Sequence, residues 1–98
     1  MAAERLRRVR GFVHGFVQGV GFRSFARRQA AACGVTGWVM NRRDGAVEFC
    51  AEGTLAAVDA YLEVLGKGPL FASVERLEII DETWLELPTS KSFEIRFS

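Results

Sequence analysis

Gly15-Phe16-Val17-Gln18-Gly19-Val20-Gly21-Phe22-Arg23 is where this chain changes its period. Before it, from Leu6 to His14, Val9, Gly11 and Val13 alternate against Arg8, Arg10 and Phe12, which predicts a strand. After it, Phe22, Phe25, Ala26, Gln29, Ala30 and Cys33 recur on one helical face while Arg27, Arg28 and Ala31 face away, with Gly34 as the C-terminal stop. The stretch is therefore a strand-to-helix loop crowded with three glycines. Glycine tolerates φ > 0 and puts no side chain in the way, so backbone N–H groups can turn inward and converge. Convergent N–H groups at a helix start cradle an anion, and an arginine adds a planar fork of donors matched to phosphate oxygens. A cation at a helix N-terminus opposes the macrodipole, so Arg23 is badly placed unless an anion lies between it and the amides. The loop is not a P-loop, because no Gly-Lys-Ser/Thr follows. Nor is it a dinucleotide fingerprint: Gly19 to Ser24 ends in Ser and no parallel βαβ unit surrounds it.

Outward from the loop, Val35 to Asn41 returns to a strand. Arg42-Arg43-Asp44-Gly45 is a turn, and Ala46 to Ala51 is its hairpin partner. Thr54 is the N-cap of a second helix with an apolar stripe of Leu55, Val58, Tyr61, Leu62 and Leu65, ended by Gly66, Gly68 and Pro69. Ser73 to Asp81 is a fourth strand whose phase slips between Val74 and Leu77, the mark of a bulge. Glu82 to Ser92 reads as a loop, and Phe93, Ile95 and Phe97 as a short last strand. The order predicts an α+β fold over one domain, residues 1–98: a ferredoxin-like β-α-β-β-α-β sandwich with a mainly antiparallel sheet, two helices on one face and a short C-terminal strand. That architecture hosts many functions and does not decide among them.

Composition narrows the class. The 98 residues are 49% hydrophobic and 26% charged, as in an ordinary globular domain. No apolar run reaches membrane-spanning length, and Met1 to Arg8 has no apolar signal core, so a cytoplasmic protein with no membrane partner is expected. Two cysteines, Cys33 and Cys50, make no disulfide framework and read as reduced core residues. Residues 1–43 carry nine Arg and one Glu (+8), and residues 44–98 four basic and eleven acidic residues (−7). Either the basic half attracts an anionic substrate, or the fold interleaves the two halves and the charges solvate surfaces. Glu48, Glu52, Glu75 and Glu78 read as solvated strand faces.

Few groups could carry catalysis. His14 is the sole histidine, and it reads as a structural or exposed residue. No His/Cys cluster has metal-ligand spacing, so neither a metal nor another cofactor is expected. There is no Gly-x-Ser-x-Gly, and neither cysteine begins a Cys-x5-Arg. Asn41 stands at a strand end. Its carboxamide could hydrogen-bond a water, or it could simply start the turn.

The residues Val17-Gln18-Gly19-Val20-Gly21-Phe22-Arg23, Gly37-Trp38-Val39-Met40-Asn41 with Asp44-Gly45, Gly68-Pro69 and Phe93-Glu94-Ile95 together resemble the acylphosphatases, small enzymes that hydrolyse the carboxyl–phosphate bond of acyl phosphates. The resemblance spans about Arg8 to Phe97. It implies that Arg23 binds the substrate phosphate, that the amides of Gln18, Gly19, Val20, Gly21 and Phe22 complete the cradle, and that Asn41 orients the attacking water. It implies metal-independent action on a small acyl phosphate; a monomer is the default expectation, and no nucleic-acid partner is expected. Two other readings are weighed against it. An acylphosphatase-like domain also begins the larger carbamoyltransferases of hydrogenase maturation, so a non-catalytic binding module is one alternative, with the single-domain length favouring the free enzyme. RNA-recognition domains share the element order, but Arg10-Gly11-Phe12-Val13 lies on the first strand, whereas their long aromatic motif belongs on the third.

Overall fold

A computed structural model describes residues 5–97; Met1–Glu4, part of the charged start read above, and Ser98 lie outside the described residues. The elements follow as β1 (Leu6–Phe16), α1 (Phe22–Cys33), β2 (Thr36–Asn41), β3 (Val47–Thr54), α2 (Leu55–Lys67), β4 (Ser73–Leu85) and β5 (Phe93–Arg96). They form one five-stranded sheet in the order β4-β1-β3-β2-β5. β1 pairs antiparallel with β3 and β4, β2 pairs antiparallel with β3, and β5 lies parallel to β2. The predicted ferredoxin-like α+β fold is the fold observed.

The core follows from the two periods. Val9 and Val13 of β1, Val39 of β2, and Val47, Phe49 and Ala51 of β3 point to one face of the sheet. Phe22, Ala26 and Ala30 of α1 and Val58, Tyr61 and Leu65 of α2 close over them in one cluster. Tyr61 is fully buried and its hydroxyl donates to the Ala26 carbonyl at 3.0 Å, which joins the two helices. That bond contributes about 1 kcal/mol. Burial pushes the Tyr61 phenol far above its ordinary range. Thr54 caps α2 as read from the sequence, accepting from the Ala57 amide.

The phase slip in β4 is a register shift. His14 pairs with Arg76 and Gly15 with Val74, which leaves Glu75 unpaired, and a second shift between Arg10 and Gly11 leaves Ile80 unpaired.

Three readings are corrected. β4 does not stop at Asp81: Glu82, Thr83, Trp84 and Leu85 pair with Val9, Arg8, Arg7 and Leu6, because β1 offers them a free edge from Leu6 onward. Leu55, placed in the apolar stripe of α2, is exposed. Glu48 and Glu52 are not solvated but are only 7% and 2% exposed. Glu48 accepts from Arg10 and Arg42. Glu52 accepts from the Thr89 and Ser90 amides and the Thr89 hydroxyl, and so holds the β4–β5 connection down. The two halves of the charge asymmetry interleave, as one of its two readings has it: Arg7 bridges Asp59 and Glu82, and Arg10 and Arg42 share Glu48.

Candidate active site

Because β2 runs in the same direction as β1, the C-terminal ends of both strands lie at one end of the sheet. The glycine loop leaves β1 there, and Asn41 ends β2 there. β5 is parallel to β2 and delivers Phe97 to the same end, and antiparallel β4 begins there.

The loop is pinned at both sides by buried Val17 and Phe22. Between them Gly19 and Gly21 adopt φ of 76° and 78°, left-handed conformations that a side chain would strain. A Cβ at either position would meet nothing within 4 Å, so the backbone there borders open space. Gly21 is also the N-cap of α1 and offers no side-chain acceptor, and the first turn contains no acid. The first helical hydrogen bond runs from the Phe25 amide to the Gly21 carbonyl. The amides of Phe22, Arg23 and Ser24 precede it, so they are donors without a partner inside the helix. A phosphate-sized anion would satisfy them and reverse the unfavourable placement of Arg23.

Arg23 is half-buried, with its guanidinium 4.9 Å from the centroid of the Phe97 ring. Among the described residues it has no hydrogen-bond or carboxylate partner, so its donors remain available to a ligand. Arg42, close in sequence to Asn41, is committed instead. It bonds Asp44 and Glu48 and stacks 4.4 Å from the Phe12 ring centroid. The hydrogen bond to Asp44, then the one to Glu48, raises its pKa above the ordinary guanidinium value. The Ala46 amide, followed by Arg42, holds the Asp44 carboxyl below the usual range. These contacts stiffen the β2–β3 turn.

Asn41 pairs with Val47 across the hairpin. Its Oδ1 atom is buried and has no hydrogen-bond partner. Buried carbonyl oxygens of this kind are rare, because leaving one unsatisfied costs about 1–3 kcal/mol. A shallow pocket of about 300 Å³, lined by Met40, Asn41, Arg42, Arg43 and Glu48, opens beside it. A larger cavity, about 420 Å³, lies at the opposite end of the sheet among Leu6, Gly34, Thr36, Gly53 and Thr54.

The Gln18 side chain is the residue that sequence reasoning missed. Its Nε2 donates to the carbonyls of Arg42 at 2.7 Å and Ala46 at 2.9 Å. This strap fixes the glycine loop against the turn that follows Asn41. A polar residue in a glycine-rich loop was the only signal available, and it says nothing about a partner 24 or 28 residues away. His14 is structural as expected, within 2.8 Å of Glu78 and 3.4 Å of Arg76. Cys33 and Cys50 are free thiols, the second buried, and burial raises the Cys50 pKa. Among the described residues no group of three or more His, Cys, Asp or Glu could hold a metal ion, and no helix is long and apolar enough to cross a membrane.

The acylphosphatase family model matches residues 9–95. The acylphosphatase of Mesorhizobium japonicum is 49% identical over 82 residues, covering 83% of this chain and 87% of the relative. Among solved structures, an acylphosphatase from Bacillus subtilis aligns with a TM-score of 0.81 at 36% identity, over 92% of this chain and 98% of that one. An acylphosphatase from Coxiella burnetii aligns with a TM-score of 0.83 at 30% identity, over 98% and 100%.

Proposed function

This chain belongs to the acylphosphatase family and is an acylphosphatase, and we propose that it works through the amides of Gln18, Gly19, Val20, Gly21 and Phe22, the Arg23 guanidinium and the Asn41 carboxamide. The observation that carries this assignment is the position of Asn41 at the C-terminal end of β2, at the same end of the sheet as the glycine loop and lining an open pocket there. A carboxamide in that position has both a donor and an acceptor with which to orient a water.

The chemistry asks little else of the protein. In phosphoryl transfer the charge sits on the equatorial oxygens of a loose transition state, so catalysis is mainly positioning and electrostatic stabilisation. The loop amides and Arg23 supply donors to those oxygens. The water held by Asn41 attacks phosphorus, the phosphorus–acyl oxygen bond breaks, and its electron pair leaves on the carboxylate. A carboxylic acid has a pKa of about 4, so the leaving group needs no proton from the enzyme. The proton of the attacking water passes to a phosphate oxygen of the substrate, so no protein base is needed. This accounts for a site without a histidine or a free carboxylate in a catalytic position.

The test is hydrolysis of benzoyl phosphate in excess chelator. The native chain turns over. Arg23→Ala loses about 10²–10³ in kcat, the scale of one oxyanion donor. Asn41→Ala loses turnover while inorganic phosphate remains a competitive inhibitor. Full turnover by Asn41→Ala would overturn its role. The complete set of groups comes from one chain, which supports action as a monomer on a small acyl phosphate without nucleic acid. The two free thiols favour a reducing compartment such as the cytoplasm.

A further inference from the structure

Five large apolar side chains are more than 60% exposed: Phe16, Leu70, Phe71, Leu87 and Phe97. Four of them, all but Leu87, lie at the end of the sheet that carries the glycine loop. Phe16 is the last residue of β1, two positions before Gln18, and pairs with Ser73, the first residue of β4. Leu70 and Phe71 fill the connection between α2 and β4. There the Ala72 amide bonds the Pro69 carbonyl at 3.1 Å, so Leu70 and Phe71 are the two central residues of a tight turn. They are 89% and 77% exposed. Such turns are built from Gly, Asn, Asp, Ser and Pro for reasons of backbone geometry. Nothing in the fold calls for Leu followed by Phe at this tip. The same connection packs on the start of α1, since a Cβ at Gly68 would come within 3.6 Å of the Phe22 ring. The turn is therefore carried on the residue that closes the anion cradle.

We infer that Leu70 and Phe71, with Phe16, form the subsite for the acyl half of the substrate and select acyl phosphates with an apolar or aromatic acyl group. This rests on the assignment of the phosphoryl group to the glycine loop. With the phosphate fixed there, the acyl group must project from the cradle towards the surrounding surface. On that surface Phe16, Leu70, Phe71 and Phe97 are exposed beside the charged Arg43 and Lys67, and within the β2–β3 turn Arg42 and Asp44 are bound to one another. A benzoyl group laid on this patch removes apolar surface from water, at about 25 cal/mol per Å². An acetyl group, with a single methyl, has far less apolar surface to bury there.

The experiment compares kcat/KM for benzoyl phosphate and acetyl phosphate in the native chain and in a Leu70→Ser, Phe71→Ser double variant. Both positions are exposed turn residues, so folding is not at stake, and an unchanged thermal midpoint verifies it. The expected result is a loss of about tenfold on benzoyl phosphate, equivalent to about 1.4 kcal/mol, with acetyl phosphate unchanged. Hydrolysis of both substrates with an unaltered ratio overturns the subsite alone. If that unaltered ratio comes with a fall from dimer to monomer in sedimentation, the patch covers a second copy of the chain instead. Hydrolysis of neither substrate by the native chain overturns the phosphate assignment beneath it as well.

Discussion

Replacing Gln18 probes how the two halves of the site are held together. Its Nε2 makes two neutral hydrogen bonds, to the carbonyls of Arg42 and Ala46. Each such bond contributes about 0.5–1.5 kcal/mol net. Neither carbonyl is orphaned by Gln18→Ala, because Gly45 still donates to the first and Arg42 to the second. The cost therefore falls in the lower half of the sum, about 1–2 kcal/mol. With a urea slope of about 1–1.5 kcal/mol/M for a chain of this size, the midpoint drops by about 1 M. The catalytic cost is larger, because a displacement on the order of 1 Å between reacting groups costs about 10²-fold. Turnover of benzoyl phosphate is expected to fall by about 10- to 100-fold. Gln18→Glu sharpens the test. It keeps the shape but turns the donor into an acceptor facing two carbonyls, so at pH 7 it is at least as damaging as Ala. The folded state then favours the protonated carboxyl, which can donate one bond, so the folded pKa lies above the unfolded value of about 4.3. The bond's contribution is complete below about pH 4.3 and is lost as the pH rises through the folded value. The stability difference between the Glu and Ala variants should therefore move in favour of Glu on acidification. A Glu variant as stable and active as the native chain at pH 7, or one that tracks Ala at every pH, would refute the strap.

Tyr61 is the chain's only tyrosine, so tyrosinate absorbance reports it alone. Its phenol is raised by burial, and so is the Cys50 thiol. Stability carried by a raised group is complete below the unfolded pKa and lost above it, so it should decline from about pH 9–10 upward. Tyrosinate should appear together with loss of helical circular dichroism, and a phenol that titrates near pH 10 in a folded chain would contradict its burial. Glu52→Ala releases the Thr89 and Ser90 amides and should cost about 2–3 kcal/mol by urea unfolding, with Glu52→Gln costing about 1 because it keeps one acceptor oxygen. Unchanged midpoints in both would mean that the β4–β5 connection does not depend on this carboxylate.

The fold was legible where local rules act alone. The switch from period 2 to period 3.6 at Phe22, the Thr54 cap, the Asp44-Gly45 turn and the β4 phase slip are each written in adjacent residues. What the sequence concealed was long-range. Alternation places Glu48 and Glu52 on the face opposite Phe49, but cannot say that Arg10 and Arg42 cover one and residues 89–90 the other. Glu82–Leu85 carry enough charge to read as loop, and only the free edge of β1 makes them strand. At the site, anion binding by Arg23 and the glycine loop could be proposed from chemistry, whereas the role proposed for Asn41 came from resemblance, and its buried oxygen became visible only in three dimensions.

Titrating inorganic phosphate into ¹⁵N-labelled protein tests the anion cradle most directly. The account predicts saturable shifts centred on the amides of Gln18 to Phe22, retained in Asn41→Ala and abolished in Arg23→Ala. Shifts confined to the arginines of β1, with the loop amides unmoved, would contradict it.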